Sequence, residues 1–171
     1  MDKIDRSRIE NNSLKEEIEK ILQLRKEAEA ENNDRFSFDA PIDEEEMTSW
    51  EQETGITIPE SYKEWLRFSR ECRIDGATAN FWGPKKFHSQ YVPDDLVVIG
   101  SVIGDGEDVC FSKESGHFVR FFEGRRRRER ENFQGILNDI IDFLKPQPLS
   151  PEEIEQMRKK LMEIRERRNK Q

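Results

Sequence analysis

Cysteine is scarce in this 171-residue sequence: only Cys72 and Cys110 are present, far apart and in no metal or redox spacing. That excludes a disulfide framework and a structural zinc site, and predicts two reduced thiols in a reducing compartment. Histidine is equally rare. His88 and His117 are the only two, and neither stands in a recognisable nucleophile motif, so both read as surface or strand-packing residues. No apolar run approaches the roughly 18 residues of a membrane span, and Met1-Asp-Lys-Ile-Asp-Arg-Ser-Arg has no signal-like apolar stretch behind it. The expected location is the cytoplasm, without a membrane partner.

Apolar residues are also few, at 33%, while charged residues reach 39% against roughly 25% in an ordinary globular chain. A core cannot be spread over the whole length at that composition. One central domain with helical appendages is the reading that fits: 1–34 as an N-terminal helical extension, 35–145 as the domain, and 146–171 as a C-terminal helical extension.

Charge is abundant but unevenly placed. Residues 1–75 hold 21 of the 37 acidic side chains and only 12 of the 29 basic ones, which accounts for the net charge of −8. Phosphate binding requires a dominant cationic surface, so nucleic acid is an unsuitable partner for such a chain. A cationic protein suits it better.

Leu14, Ile18, Ile21 and Leu22 recur at helical spacing over Ser13–Ala30, with Ser13 and Glu16 placed as a capping box and Asn32-Asn-Asp34 as the stop. The stripe is narrow, which suggests packing on the domain edge or on another chain. A second helix is announced by Asp43 as N-cap, by Glu44, Glu45 and Glu46 at the positive end of its dipole, and by Ile42 stapling against Met47; Gly55 closes it. After Ile56-Thr-Ile58, Pro59 pre-sets the first turn of a third helix, on which Tyr62, Trp65, Leu66 and Ser69 share a face. Trp50, Tyr62, Trp65 and Phe68 are expected to form one aromatic core.

From Ala77 the period changes from helical to strand-like. Ala77–Trp82 is a candidate strand ended by Gly83-Pro84, and Leu96–Ile99 a second ended by Gly100. Val102-Ile103 and Asp108–Phe111 flank a Gly104-Asp105-Gly106 turn, and His117–Phe122 follows the turn Lys113-Glu-Ser-Gly116. Short connections make these strands antiparallel. Phe133, Ile136, Leu137, Ile140, Ile141 and Leu144 then form the clearest helical face in the chain, which must be buried on the sheet. Pro146 and Pro148 interrupt it. Ser150-Pro-Glu-Glu153 restarts a helix with Ile154, Met157, Leu161 and Ile164 on its stripe.

Three patterns invite a chemical reading. Gly104-Asp105-Gly106-Glu107-Asp108 supplies three carboxylates and no downstream bidentate glutamate, too little for a calcium loop, and turn chemistry explains it. No pattern calls for a cofactor. Arg125-Arg-Arg-Arg128 with Arg130 reads as a solvated basic loop before the closing helix. Phe81-Trp82 ends a strand, where alternation puts one ring inside and the other outside; a covering loop would bury both, whereas an exposed Trp82 would anchor an interface.

The order of these features, with Gly55, Ile58-Pro59, Tyr62 and Trp65-Leu66, the acidic Gly-Asp-Gly hairpin and the helix Phe133–Leu144, resembles the SUKH superfamily of Smi/Knr-like domains over about Phe36–Leu144. One departure is Ile74-Asp75-Gly76, where the family often has Asn-Gly or Gly-Gly. The resemblance implies an α+β domain with a mostly antiparallel sheet and packed helices, flanked here by the two terminal helices. It also implies a non-enzymatic protein-binding module with no catalytic residues to carry over. Most bacterial members look like immunity proteins that neutralise a polymorphic toxin, often a nuclease or deaminase; fungal relatives act as regulatory scaffolds in cell-wall synthesis. The expected contacts to a cationic toxin are Asp94, Asp95, Asp105, Glu107, Asp108 and Trp82, and the terminal helices offer a route to self-association.

Overall fold

A computed structural model describes residues 4–31, 35–76, 78–102, 106–145 and 150–168. Helices α1 (Ser7–Glu10) and α2 (Lys15–Ala30) precede strand β1 (Ser37–Phe38). Helices α3 (Glu44–Thr54) and α4 (Glu60–Phe68) lead into β2 (Cys72–Ile74), β3 (Ala79–Phe81), β4 (Leu96–Val102), β5 (Glu107–Ser112), β6 (Phe118–Phe122) and β7 (Arg125–Arg130). Helices α5 (Phe133–Leu144) and α6 (Pro151–Arg168) close the chain. The seven strands form one antiparallel sheet in sequence order, β1 to β7, so each pairs with its neighbours along the chain. This is the α+β architecture with terminal helices that the pattern predicted.

Local chemistry sets the helix ends. The Asp43 side chain accepts from Glu45 N–H at 3.0 Å, Gly55 closes α3 at φ 68°, and Ile42 and Met47 are both buried. Pro59 stands one residue earlier than expected, as the N-cap of α4 with φ −57°. The α2 capping box does not form. Leu14 N–H is taken by Asn12 Oδ1 instead, while Asn12 Nδ2 and Ser13 N–H reach the backbone and side chain of Glu64, so the start of α2 is tied to α4.

Helix α2 is a working part of the core. Leu14, Ile18 and Ile21 are buried with the residues of α5, and Gln134 of α5 donates to the buried carboxylate of Glu17 at 3.0 Å. Its narrow stripe suffices because α5 supplies a second apolar helix beside it. The aromatic core is centred on Phe133, whose ring lies 4.7 Å from Tyr62, 5.0 Å from Phe81, 5.5 Å from Phe118 and 5.7 Å from Trp65. Trp50 belongs to its margin, edge-on to Phe87 at 5.1 Å.

β4 and β5 extend beyond their expected limits, whereas β3 (Ala79–Phe81) and β6 (Phe118–Phe122) fall short of theirs. β4 runs through Gly100 to Val102 and shifts register against β5 between Val98 and Gly100; on its other side Gly100 pairs with Phe81 so closely that a side chain there would clash. The arginine run is an edge strand and not a loop. Glu123 and Gly124, at φ 46° and 74°, make the two-residue turn that folds Arg125–Arg130 back on Phe118–Phe122. β1 has only two residues, and in β2 alternation is confined to buried Cys72 and Ile74 on either side of exposed Arg73. Ala77, the stop Asn32–Asp34, the Ile103–Asp105 part of the acidic turn, and the Pro146–Pro148 linker lie outside the described residues.

Candidate protein-binding face

Alternation along the strands divides the sheet into two unlike faces. Val97, Ile99, Val109, Phe111 and Phe118 point toward the helices and join the main core. Leu96, Val98, Cys110, Val119 and Phe121 point the other way and form a smaller apolar cluster, against which Trp82 and Val92 pack. Segment 83–95 serves both sides, with Val92 packed on this cluster and Phe87 on the main core. His88 bridges to Val98, accepting from its N–H at 2.7 Å, and Ser89 Oγ donates to the Leu96 carbonyl at 2.6 Å.

Trp82 is held from beneath. Its carbonyl accepts from the Tyr62 hydroxyl at 2.7 Å and its N–H donates to Ile99 O, so the core hydroxyl of α4 positions the backbone that carries the indole. Phe81 is buried and Trp82 half-buried, as alternation requires, and the indole lies nearly parallel to the His88 ring, 6.4 Å between centroids.

The candidate carboxylates separate in space. Asp108 lies on the same side of β5 as Cys110, half-buried; burial raises its carboxyl above the ordinary range and His88 partly opposes the rise. Asp95, at the start of β4, accepts from Arg126 Nη2 with both oxygens at 2.6 Å, which holds its carboxyl below the ordinary range. That pair joins β4 to β7, with β5 and β6 between them in the sheet. Asp94 is exposed beside it. Asp105 lies outside the described residues.

Glu107 departs from its expected role as an exposed contact. β5 begins at Glu107, and the pleat turns its side chain to the helix side with Val109 and Phe111. There it is 8% exposed and accepts from Arg120 Nη2 of β6, itself 8% exposed. A carboxylate so enclosed is a structural ion pair.

Tyr91 escaped the sequence reading. It is 94% exposed at φ 64° within segment 83–95, three residues before Asp94. The signal was present in Tyr91-Val-Pro-Asp-Asp95, a turn composition that keeps an aromatic ring out of any strand.

The remaining chemistry is subdued. Cys72 packs in the main core and Cys110 in the opposite cluster, so the sheet separates them; burial pushes each thiol up to about 12. His117 pairs with Glu129 at 2.9 Å on the surface. No group of three or more His, Cys, Asp or Glu side chains suited to a metal ion occurs among the described residues, and no described helix is long and apolar enough to cross a membrane.

No curated protein shows a significant match to the chain. A model of the SMI1 / KNR4 family (SUKH-1) matches residues 41–145, from the residue before the Ile42 staple to the end of α5. The match spans α3, α4, the sheet from β2 to β7 and the Phe133 helix, more than half of the sequence, and the chain therefore belongs to the SMI1 / KNR4 family (SUKH-1).

Proposed function

We propose that this chain is a non-enzymatic, protein-binding immunity module that neutralises a cationic toxin domain of nuclease or deaminase type, using the sheet face turned away from the helices. The family supports this much: it comprises immunity-type and cell-wall-related proteins and is generally non-catalytic. The observation that carries the reading is the arrangement of the sheet face turned away from the helices. Trp82 and Asp108 flank an apolar cluster there, and Tyr91 and Asp94 stand out from the segment that covers it. Aromatic rings beside an exposed and a half-buried carboxylate fit a basic partner, and a net charge of −8 speeds its approach.

Co-expression with the product of the adjacent gene tests the proposal. Rescue of growth and a stable complex are expected; a toxic neighbour that remains toxic, with no complex formed, sinks it. The exposed stripe of α6 favours a second reading, a regulatory or scaffold protein without a toxin partner. Under that reading, charge reversals on that sheet face leave its associations unchanged.

A further inference from the structure

Helix α6 is well started and poorly used. Ser150 and Glu153 close a reciprocal capping box, with Ser150 N–H donating to Glu153 Oε2 at 2.8 Å and Glu153 N–H to Ser150 Oγ at 3.2 Å. Beyond it, every side chain from Pro151 to Met162 is exposed. Ile154, Met157 and Leu161 are 39%, 50% and 57% exposed and join neither apolar cluster. An 18-residue helix with a solvated stripe has little reason to persist alone in water.

The spacing identifies the kind of surface it lacks. Ile154, Met157, Leu161 and Ile164 are separated by three, four and three residues, the narrow a/d seam of a two-stranded coiled coil and not the broader face of a helix docked on a domain. The charges identify the occupant. Glu152, Glu153 and Glu155 make the first half wholly acidic, whereas residues 158–170 hold seven basic and two acidic residues. A parallel copy would stack basic half on basic half. An antiparallel copy sets each acidic half against the other's basic half, opposes the two helix dipoles, and layers Ile154 over Ile164 and Met157 over Leu161.

We infer that α6 is a self-recognition helix through which two copies of this chain pair antiparallel. The seam is short, so the association is concentration-dependent and salt-sensitive.

Sedimentation equilibrium of the full chain tests this. The mass is expected to rise with concentration from the 20.4 kDa monomer toward twice that value. Leu161→Asp should remain at the monomer mass throughout, with unchanged circular dichroism in the aromatic region because the core is untouched. Arg167→Glu, which this register sets opposite Glu153 of the other copy, should also lose the dimer, and adding Glu153→Lys should restore it by exchanging the two charges. A monomer at every concentration, a dimer that survives Leu161→Asp, or an exchange that fails to restore association would each overturn the inference.

Discussion

Gly100 lies directly opposite Phe81 in the β3–β4 ladder, so close that a Cβ on Gly100 would fall 2.5 Å from the Asn80 carbonyl oxygen and 2.9 Å from Phe81 Cε1. Backbone cannot move aside as a flexible side chain can. Gly100→Ala is therefore expected to cost about 1–3 kcal/mol by overpacking, measured by urea unfolding. A change indistinguishable from zero would show that β3 and β4 can part at this point.

Phe133 touches four aromatic rings contributed by α4, β3 and β6. Its truncation leaves a cavity that rigid neighbours cannot fill, and Phe133→Ala should lower stability by about 3–5 kcal/mol. Tyr91→Ala, which removes the most exposed aromatic ring among the described residues, should change stability by less than about 0.5 kcal/mol. Comparing the two midpoints in denaturant checks both values.

Glu107 and Arg120 test how an enclosed ion pair is maintained. Their side chains are 11% and 10% exposed. Removing one charge strands the other, so Glu107→Gln should cost about 3–5 kcal/mol. Replacing both by methionine should recover most of that loss. A Glu107→Gln variant as stable as the parent would show that Arg120 finds water or another acceptor.

Asp108 and Asp95 act in opposite directions as pH changes. The folded chain raises the Asp108 carboxyl above 3.8, so its charged form opposes folding above that folded value, and the opposition fades as pH falls toward 3.8. Asp95 is held below 3.8 by Arg126; its contribution is present above 3.8 and lost as pH falls through the lower folded value. At neutral pH, Asp108→Asn should stabilise the fold. Asp95→Asn should weaken it by no more than about 1 kcal/mol because the pair is partly exposed. Unfolding curves at several pH values separate the two.

Binding should be sensitive to the same face. With a cationic toxin partner, Asp94→Lys together with Asp108→Lys is expected to slow association by about tenfold or more at low salt, with the difference shrinking as salt is added. Trp82→Ala should act on dissociation and cost about 2 kcal/mol if the indole is a central anchor. Surface-plasmon or stopped-flow rates would reveal a different binding face if neither variant moved them.

Sequence periodicity was most informative where burial is one-sided and long. Phe133–Leu144 emerged with its observed ends because six apolar positions repeat over three turns, and α3 because Asp43 and Gly55 mark its ends chemically. The Arg125–Arg130 strand was invisible for the opposite reason. As an edge strand it has little apolar surface to bury, and its pairing was signalled only by the Glu123-Gly124 turn. Of the contact residues, alternation put one ring of the Phe81-Trp82 pair outside without saying which, and Glu107 could not be placed, because the side a carboxylate faces depends on the residue at which its strand begins. Two terminal helices that looked alike in sequence also diverged: α2 found α5 beside it, and α6 remained exposed.

The bond from Gln134 to Glu17 joins residues 117 positions apart, across a sheet whose strands otherwise pair in the order they occur. During synthesis the hairpins can form one after another as they leave the ribosome, but α2, tied at its start to α4, gains its second apolar helix only when α5 has emerged. Leu14, Ile18 and Ile21 therefore lack the α5 part of their cover until every strand between has been made, so a helix that precedes the sheet is completed after it.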